Sequence, residues 1–387
     1  MLRYLTAGES HGKCLIAVIE GIPSGLKIKE EDINKELERR QKGFGRSQRM
    51  QIEHDKIEIL SGIRWGKTMG SPICLKIENH DYLNWQRIMS INEDDEDEKF
   101  LLTRARPGHA DLPGVLKFGH SDIRNVQERA SARETAIRVA VGAICKKFLS
   151  EFDIKIYSAV EEIGGVSLKL TENDIINNYS AIENSCVRTP DKNIEEKMVE
   201  VIKKCSEKGD TVGGIFKIVV TGLPPGIGSY IQWDKKLDAN IAKGILSIQA
   251  VKGVEIGKGF ELGHLFGSEV HDEIFYDEKN KKYYRKTNNA GGIEGGMTNG
   301  ENLVIRAVMK PIPTLKQPLK SIDIKTKKQT EANVVRSDVC AVPACAVIAE
   351  SVVAYSISDA FLEKFAGDSI DETRQRFSEY IKYLQTV

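Results

Sequence analysis

The stretch Arg104-Ala-Arg-Pro-Gly-His-Ala-Asp111, followed by Ser121-Asp-Ile-Arg-Asn-Val-Gln-Glu-Arg-Ala-Ser-Ala-Arg-Glu-Thr-Ala136, organises the rest of the chain. Pro107 fixes φ and Gly108 tolerates φ > 0, so His109 is presented from a tight turn. Between residues 121 and 141 there is neither proline nor glycine. Ala132, Ala136, Val139, Ala140, Ala143 and Ile144 recur at three and four residues, which predicts one helix with a small-residue face. On such a helix Arg129 and Arg133 lie one turn apart, with Asp122, Glu128 and Glu134 near enough to orient them. A loop histidine beside a column of guanidinium groups is equipment for handling an anion and a proton together. The competing reading is a solvated helix face carrying the i,i+4 pairs Arg124–Glu128 and Glu134–Arg138.

Composition narrows the classes. Hydrophobic residues at 41% and charged residues at 29% are ordinary for a globular chain with a sizeable core. A chain of 387 residues has room for two domains, yet no repeat and no linker is visible. One compact domain over residues 1–387 is expected. The formal net charge of +0 gives no global steering toward nucleic acid or a membrane, so anion specificity has to come from local clustering. No apolar run approaches the length of a membrane span, and the first residues are too polar for a signal peptide. Seven cysteines without a CxxC pair argue against a disulfide framework and for a reducing cytoplasm. No Cys/His/carboxylate grouping has zinc spacing, so no metal is expected.

Residues 29–42 predict a helix with Glu30, Glu31 and Asp32 at its start and Arg39, Arg40 and Lys42 at its end, the order a helix dipole favours. It opens into Gly43-Phe-Gly45-Arg46-Ser-Gln-Arg49, and four arginines with a lysine in so short a span could clamp a phosphate. RNA contact is the weaker reading, because no larger basic surface or interleaved aromatics accompany the loop. Gly8-Glu-Ser-His-Gly12 fits the G-x-S-x-G pattern of a serine hydrolase. A nucleophile elbow follows a strand deep in a parallel sheet, however, and little chain precedes Gly8. A proton donor at His11 explains the turn better.

Strands are expected at 56–60, 72–77 and 215–220, with a glycine-broken strand at 250–259. Helices are expected at 238–248, capped by Asp238, at 344–361 and at 372–384. The acidic run 92–98 reads as a solvated loop. The glycine-rich tract 289–300 would let backbone N–H groups approach a ligand closely, without the spacing of a dinucleotide fingerprint. Lys310-Pro-Ile-Pro-Thr314 is a rigid extended piece with one cation, and Arg336-Ser-Asp338 precedes a helix whose N-terminus favours anions. Two loop histidines with these arginines and Lys310 point to acid–base work on a polyanionic small molecule.

Gly8-Glu-Ser-His-Gly12, Arg106-Pro-Gly-His-Ala-Asp111, Glu128-Arg-Ala-Ser-Ala-Arg-Glu-Thr-Ala136, Ala250-Val-Lys-Gly-Val-Glu255 and Arg336-Ser-Asp-Val-Cys-Ala-Val-Pro343 together resemble the chorismate synthase family, in order and over essentially the whole chain. The resemblance implies an α+β fold: a β-α-β sandwich with a helical layer between two antiparallel sheets. It implies a lyase that makes chorismate from 5-enolpyruvylshikimate 3-phosphate by anti-1,4-elimination of phosphate in the shikimate pathway. Reduced FMN is the implied cofactor, because the C6 hydrogen that is lost is not acidic. NADPH is one candidate reductant; an external flavin reductase is the other, and the absence of an oxidoreductase-like module favours it. A cytoplasmic homotetramer without nucleic-acid or membrane partners is expected.

By the same resemblance His109 protonates departing phosphate, His11 protonates the anionic reduced flavin, and Asp338 is a relay oriented by Ser337 or Arg336. Ser10, Arg49, Arg106 and Arg133 are implied at the substrate. Arg40 and Arg46 are implied at substrate phosphate or nicotinamide nucleotide. Ser131, Ala132, Arg133, Gln249, Ala250, Gly296, Lys310, Pro311, Ile312, Pro313, Thr314 and Arg336 are implied at FMN. Departures are small: Ala105 stands where proline is common, Gln249 differs from the usual residue, and Cys345 replaces an alanine.

Overall fold

The computed structural model describes residues 2–47 and 53–387. Its first sheet is built from β1 (Arg3–Ala7), β2 (Cys14–Glu20), β3 (Ile57–Ile59) and β4 (Ile73–Glu78) in the order β1-β2-β4-β3, antiparallel throughout. β2 shows why the sheet is one-sided. Leu15, Ala17 and Ile19 alternate inward and are fully buried, while Val18 and Glu20 point away, the period of two that a pleat imposes.

The second sheet comprises β5 (Lys155–Ile163), β6 (Val166–Ser167), β7 (Gly214–Thr221), β8 (Val251–Ile256) and β9 (Leu303–Met309) in the order β8-β9-β7-β5-β6. Its pairings are also antiparallel. Phe216, Ile218 and Val220 of β7 face the central core. Val219 joins Ala159, Leu170, Ile175 and Ile182 in a smaller cluster on the opposite face, so this sheet is covered on both sides.

The main helices are α1 (Glu30–Gln41), α2 (Asp111–Phe118), α3 (Arg124–Ala130), α4 (Thr135–Ser150), α5 (Lys192–Glu207), α6 (Leu237–Leu246), α7 (Val342–Phe365) and α8 (Ile370–Leu384), and α1, α4 and α7 pack in the layer between the sheets. α4 touches β2 and β4 on one side and β5 on the other, and α7 lies between α4 and the second sheet. One continuous buried cluster runs from Leu15 and Leu75 through Ala140 and Val353 to Phe216 and Ile305. This is the expected architecture, a helical layer between two antiparallel sheets. Close approach of α4 and α7 depends on Gly142, where a Cβ would fall 2.2 Å from Cβ of Ser351. None of the seven cysteines forms a disulfide.

Four sequence expectations need correction. The helix expected through 121–143 is interrupted: Ser131 is extended (φ −64°, ψ 142°), and a 3-10 turn at Ala132–Glu134 precedes α4. Arg129 and Arg133 therefore do not stack. Arg129 donates to the carbonyls of Thr6 and Gly8, whereas Arg133 turns inward to Asp55 and Asn79. Burying one guanidinium among acceptors has overridden local helix propensity. Secondly, α6 starts at Leu237, so Asp238 lies in its first turn rather than capping it. Thirdly, the glycines of tract 289–300 closely approach the protein itself: a Cβ on Gly291 would meet Gly257 N, one on Gly292 would meet Asn302 O, and one on Gly296 would meet the Lys236 side chain. Lastly, α7 is long and apolar enough to cross a bilayer, although no run of that length was expected; 83% of its most apolar window is buried inside the protein, which makes it the core helix.

The carboxylate of Glu350 sits fully buried in the middle of α7. Arg39 of α1, Lys146 of α4 and Arg188 each pair with it, and Ser158 of β5 donates its hydroxyl. Arg39 also pairs with Glu36 and with Glu183, which Arg188 shares. Burial opposes ionisation of both acids, but the surrounding cations outweigh it: Glu350 is held well below the usual carboxylate range, and Glu183 is lowered to about 2.

Carboxyls that are more acidic folded than unfolded stabilise the protein above their unfolded pKa, about 4.3 for glutamate, and that stability is lost as pH falls through the folded value. Urea titrations from pH 6 to pH 2 should therefore show stability falling below about pH 4, with a shallower fall in Glu350→Gln. Glu350→Ala removes the buried anion shared by Arg39, Lys146 and Arg188, leaving them only Glu36 and Glu183, and should cost about 3–5 kcal/mol at pH 7. An unchanged denaturation midpoint would refute this role.

Candidate active site

A cleft of about 820 Å³ opens along one end of the helical layer. Its walls come from the turn between β1 and β2, the end of α1 and the loop behind it, the turn around Asp81, the 106–110 loop, α3 with residues 131–133, Gln249–Ala250, and segments 309–314 and 335–341. The motifs scattered through the sequence are thus walls of one chamber.

His11 and His109 are held alike. The Nδ1 of His11 lies 2.8 Å from Glu128 Oε1, and the other oxygen of Glu128 accepts the His11 backbone N–H at 2.7 Å. The Nδ1 of His109 lies 2.5 Å from Asp111 Oδ1. Glu128 and Asp111 are both buried. Assigning the Nδ1 proton to each carboxylate satisfies it and leaves Nε2 for other partners: Arg106 Nη2 is 3.3 Å from that of His109, and Asp81 Oδ2 is 3.9 Å from that of His11. Asp111 also accepts from the Arg106 backbone N–H and guanidinium and from Gln127. Burial alone would raise its pKa, yet hydrogen bonds from His109 and Arg106 hold it far below the ordinary carboxylate range. Asp111 is therefore a fixed anion, able to keep His109 oriented at any working pH.

Positive charge concentrates opposite. Arg40 is buried, donating to Thr135 Oγ1 and the Ala132 carbonyl, with Asp55 at 3.5 Å. Arg133 shares that aspartate, at 2.5 Å, and bonds Asn79 Oδ1 at 2.9 Å. Burial pushes Arg40 down to about 10 against the pull of Asp55, and the charges of Arg46 and Arg133 push the same way. Guanidinium groups crowded enough to destabilise one another form a site that an anion would relieve. Lys310 donates to the Gly108 carbonyl at 3.0 Å, and burial followed by the nearby charge of Lys252 makes it a weaker base. Arg106 reaches across to Thr314 Oγ1 at 2.9 Å, so the 106–110 and 310–314 segments are clamped together.

Of the predicted site residues, Ser10, His11, Arg40, Arg46, Arg106, His109, Ser131, Ala132, Arg133, Gln249, Ala250, Lys310, Ile312, Pro313, Thr314, Arg336 and Asp338 line the cleft. Pro311 and Gly296 do not. Gly296 packs beside Lys236, and its carbonyl accepts the Leu237 N–H at the far end of α6. Arg49 lies outside the described residues. The expected five-cation clamp divides instead: Arg39 is consumed by Glu350, Lys42 pairs with Glu38, and Arg40 and Arg46 remain at the cleft. Adjacent helical positions point about 100° apart, so Arg39 and Arg40 cannot serve one face.

Asp338 is oriented by partners other than those expected. Arg46 Nε lies 3.0 Å away and the Ser47 N–H donates at 2.6 Å. Ser337 donates to the Thr314 carbonyl, and Arg336 pairs with Asp81 at 3.5 Å. Gly8–Gly12 joins two antiparallel strands, which is not the strand-to-helix turn of a nucleophile elbow.

Sequence reading passed over Asp55, Asn79, Asp81 and Trp85, since single polar residues between short strands carry no spacing signal. Ala250 holds φ at +68°, costing on the order of 1 kcal/mol for a residue with a Cβ, and its carbonyl accepts the Lys310 N–H.

An α+β sandwich that gathers two carboxylate-bound imidazoles and several guanidinium groups in one cleft has the equipment of an enzyme, with proton-transfer groups beside positive charge. Comparison with known proteins makes this particular. The chorismate synthase family model matches residues 2–362. The chain is 55% identical over 391 residues to a chorismate synthase of Geobacter sulfurreducens, covering all of both proteins. It is 50% identical over 393 residues to that of Aquifex aeolicus, covering all of this chain and 98% of the other. A crystal structure of a chorismate synthase superposes with a TM-score of 0.82 at 43% identity, over 100% of this chain and 99% of that one. The chain belongs to the chorismate synthase family and is a lyase.

Asp55→Ala should leave Arg40 and Arg133 facing each other without their shared anion and cost about 3–5 kcal/mol of stability by denaturant titration. Arg336→Ala, at a half-exposed pair, should stay within about 1 kcal/mol of wild type. Equal effects of the two substitutions would contradict the charge arrangement described.

Proposed function

We propose that the protein acts as one catalytic domain over residues 1–387 and eliminates phosphate from 5-enolpyruvylshikimate 3-phosphate to give chorismate, with reduced FMN in the cleft. The observation that carries this reading is the paired arrangement of His11–Glu128 and His109–Asp111 beside Arg40, Arg46 and Arg133. A substrate bearing a phosphate and carboxylates suits the guanidinium groups, and two histidines held through Nδ1 by buried carboxylates suit a reaction that needs proton donors.

The cleft also suits a flavin nucleotide. Its volume, about 820 Å³, is in the range for a cofactor and a small substrate together. The buried Gln249 Oε1 has no hydrogen-bond partner, an acceptor fitted to a ring N–H. Lys310 and Arg336 would hold a phosphate tail, and Ser131, Ala132, Ala250, Ile312, Pro313 and Thr314 also line the cleft. Reduced FMN, when bound, supplies the electron density that departure of phosphate requires, which a simple base cannot do because the C6 hydrogen is not acidic.

The chain's own groups then have defined work. His109 Nε2 gives its proton to the departing phosphate, and Asp111 steadies the imidazole. Arg40, Arg46 and Arg133 hold the anion and stabilise charge on the leaving group. His11 Nε2 holds a proton for an anionic ring system, and Asp338, fixed by Arg46 and Ser47, relays the proton lost from C6. A cytoplasmic homotetramer supplied by an external flavin reductase is part of the same proposal, with NADPH as the alternative direct reductant.

The deciding experiment is anaerobic phosphate release from 5-enolpyruvylshikimate 3-phosphate with FMN either oxidised or chemically reduced. Release only with reduced FMN is expected; none in either state, from folded protein, would overturn the assignment. Adding NADPH to oxidised FMN separates self-reduction from external supply. His11→Ala and His109→Ala should each slow release by roughly 10²- to 10⁴-fold with substrate binding retained. Near-wild-type rates in both would remove the histidines from the mechanism.

A further inference from the structure

Trp85 is a cleft residue to which nothing above gives a task. It ends the 3-10 turn His80–Asn84, and its backbone N–H donates to the Tyr82 carbonyl at 2.8 Å. Its ring lies on the imidazole of His11, with centroids 3.9 Å apart and planes inclined by 21°. The Arg124 guanidinium carbon stands 5.2 Å from the same indole ring. The turn that carries Trp85 also carries Asp81, whose Oδ2 is 3.9 Å from His11 Nε2 and 3.5 Å from Arg336. His11 therefore has Glu128 at Nδ1, Asp81 off Nε2, and an indole across its face.

We infer that Trp85 is a positioning residue for His11, whose indole face fixes the imidazole plane and with it the direction of Nε2. This inference rests on the proton-donor role proposed for His11. A hydrogen bond at Nδ1 alone leaves the imidazole free to rock about the Nδ1–Glu128 axis, whereas a flat surface at van der Waals distance removes that freedom and fixes where Nε2 points. The charged groups around the ring are Glu128 from α3 at Nδ1, Asp81 from the 3-10 turn off Nε2, Arg336 beyond Asp81, and Arg124 across the indole.

The test has an optical arm and a kinetic arm. Trp65 and Trp233 are 86% and 76% exposed and lie outside the cleft lining, so Trp65→Phe/Trp233→Phe leaves Trp85 as the sole emitter. An adjacent imidazolium quenches indole emission more than neutral imidazole does. Emission of that variant, without FMN or substrate, should rise as pH is raised through the range where histidine loses its proton. Adding His11→Asn should abolish the pH dependence. Emission that ignores both pH and His11→Asn would overturn the stacked pair, whether or not the protein is a lyase.

In the kinetic arm, Trp85→Leu should give a severalfold loss of kcat at neutral pH with KM for substrate within about twofold. Trp85→Phe should restore most of the rate. In the His11→Asn background, Trp85→Leu should have little further effect on kcat. An undiminished kcat in Trp85→Leu, or a Trp85→Leu loss that persists in full with His11→Asn, would overturn the positioning role. Absence of phosphate release from wild type would refute the proposed function, and the optical arm would still decide the stack.

Discussion

The buried carboxylate of Glu350 is the constraint on which the arrangement of this molecule depends. It sits at the middle of the most apolar helix of the protein and draws cations from α1, α4 and the segment containing Arg188 to one point. Desolvating a carboxylate is expensive, and only several simultaneous partners offset it, so the helices can pack only where all the partners arrive together. Apolar packing of small residues would tolerate sliding between α4 and α7. The ionic centre, with Gly142 against Ser351, removes that freedom. It also assigns the two adjacent arginines of α1: Arg39 is held inside, and Arg40 is delivered to the cleft.

The cleft repeats the same physics at smaller scale. Each histidine is joined through Nδ1 to a buried carboxylate, and Arg40 and Arg133 share Asp55. Anions placed behind these groups fix their orientation without neutralising the surface that faces the chamber. The 106–110 and 310–314 segments, far apart in the chain, are joined by Arg106–Thr314 and Lys310–Gly108, so the wall opposite the hairpin is a single rigid piece. A site held this way needs little reorganisation when charge develops.

Legibility in the sequence varied with the range of the interaction. α1 and the strand β7 follow from local sequence pattern and appear where they were expected. The break at Ser131 was not visible, because it arises from burial of Arg133 against Asp55, Asn79 and Glu53, residues more than fifty positions away. The same distance hid the partners of Asp338. Its nearest charged neighbour in sequence, Arg336, turns to Asp81, and Arg46 takes its place. Glycine tract 289–300 was legible only in part: glycine reports close approach without reporting what approaches, and Gly291, Gly292 and Gly296 approach other parts of the same chain.

By itself the sequence determined the chemical inventory: two histidines in tight turns, an excess of arginine near them, and motifs specific enough to place the chain in its family. Those features are local, set by residue type and spacing of a few positions. Tertiary structure alone decided which cations serve the core and which the cleft, which carboxylate holds which imidazole, and that an indole lies across His11. Each of those outcomes pairs groups from separate elements through contacts of a few ångströms, and no local pattern encodes a partner that the fold must bring from elsewhere in the chain.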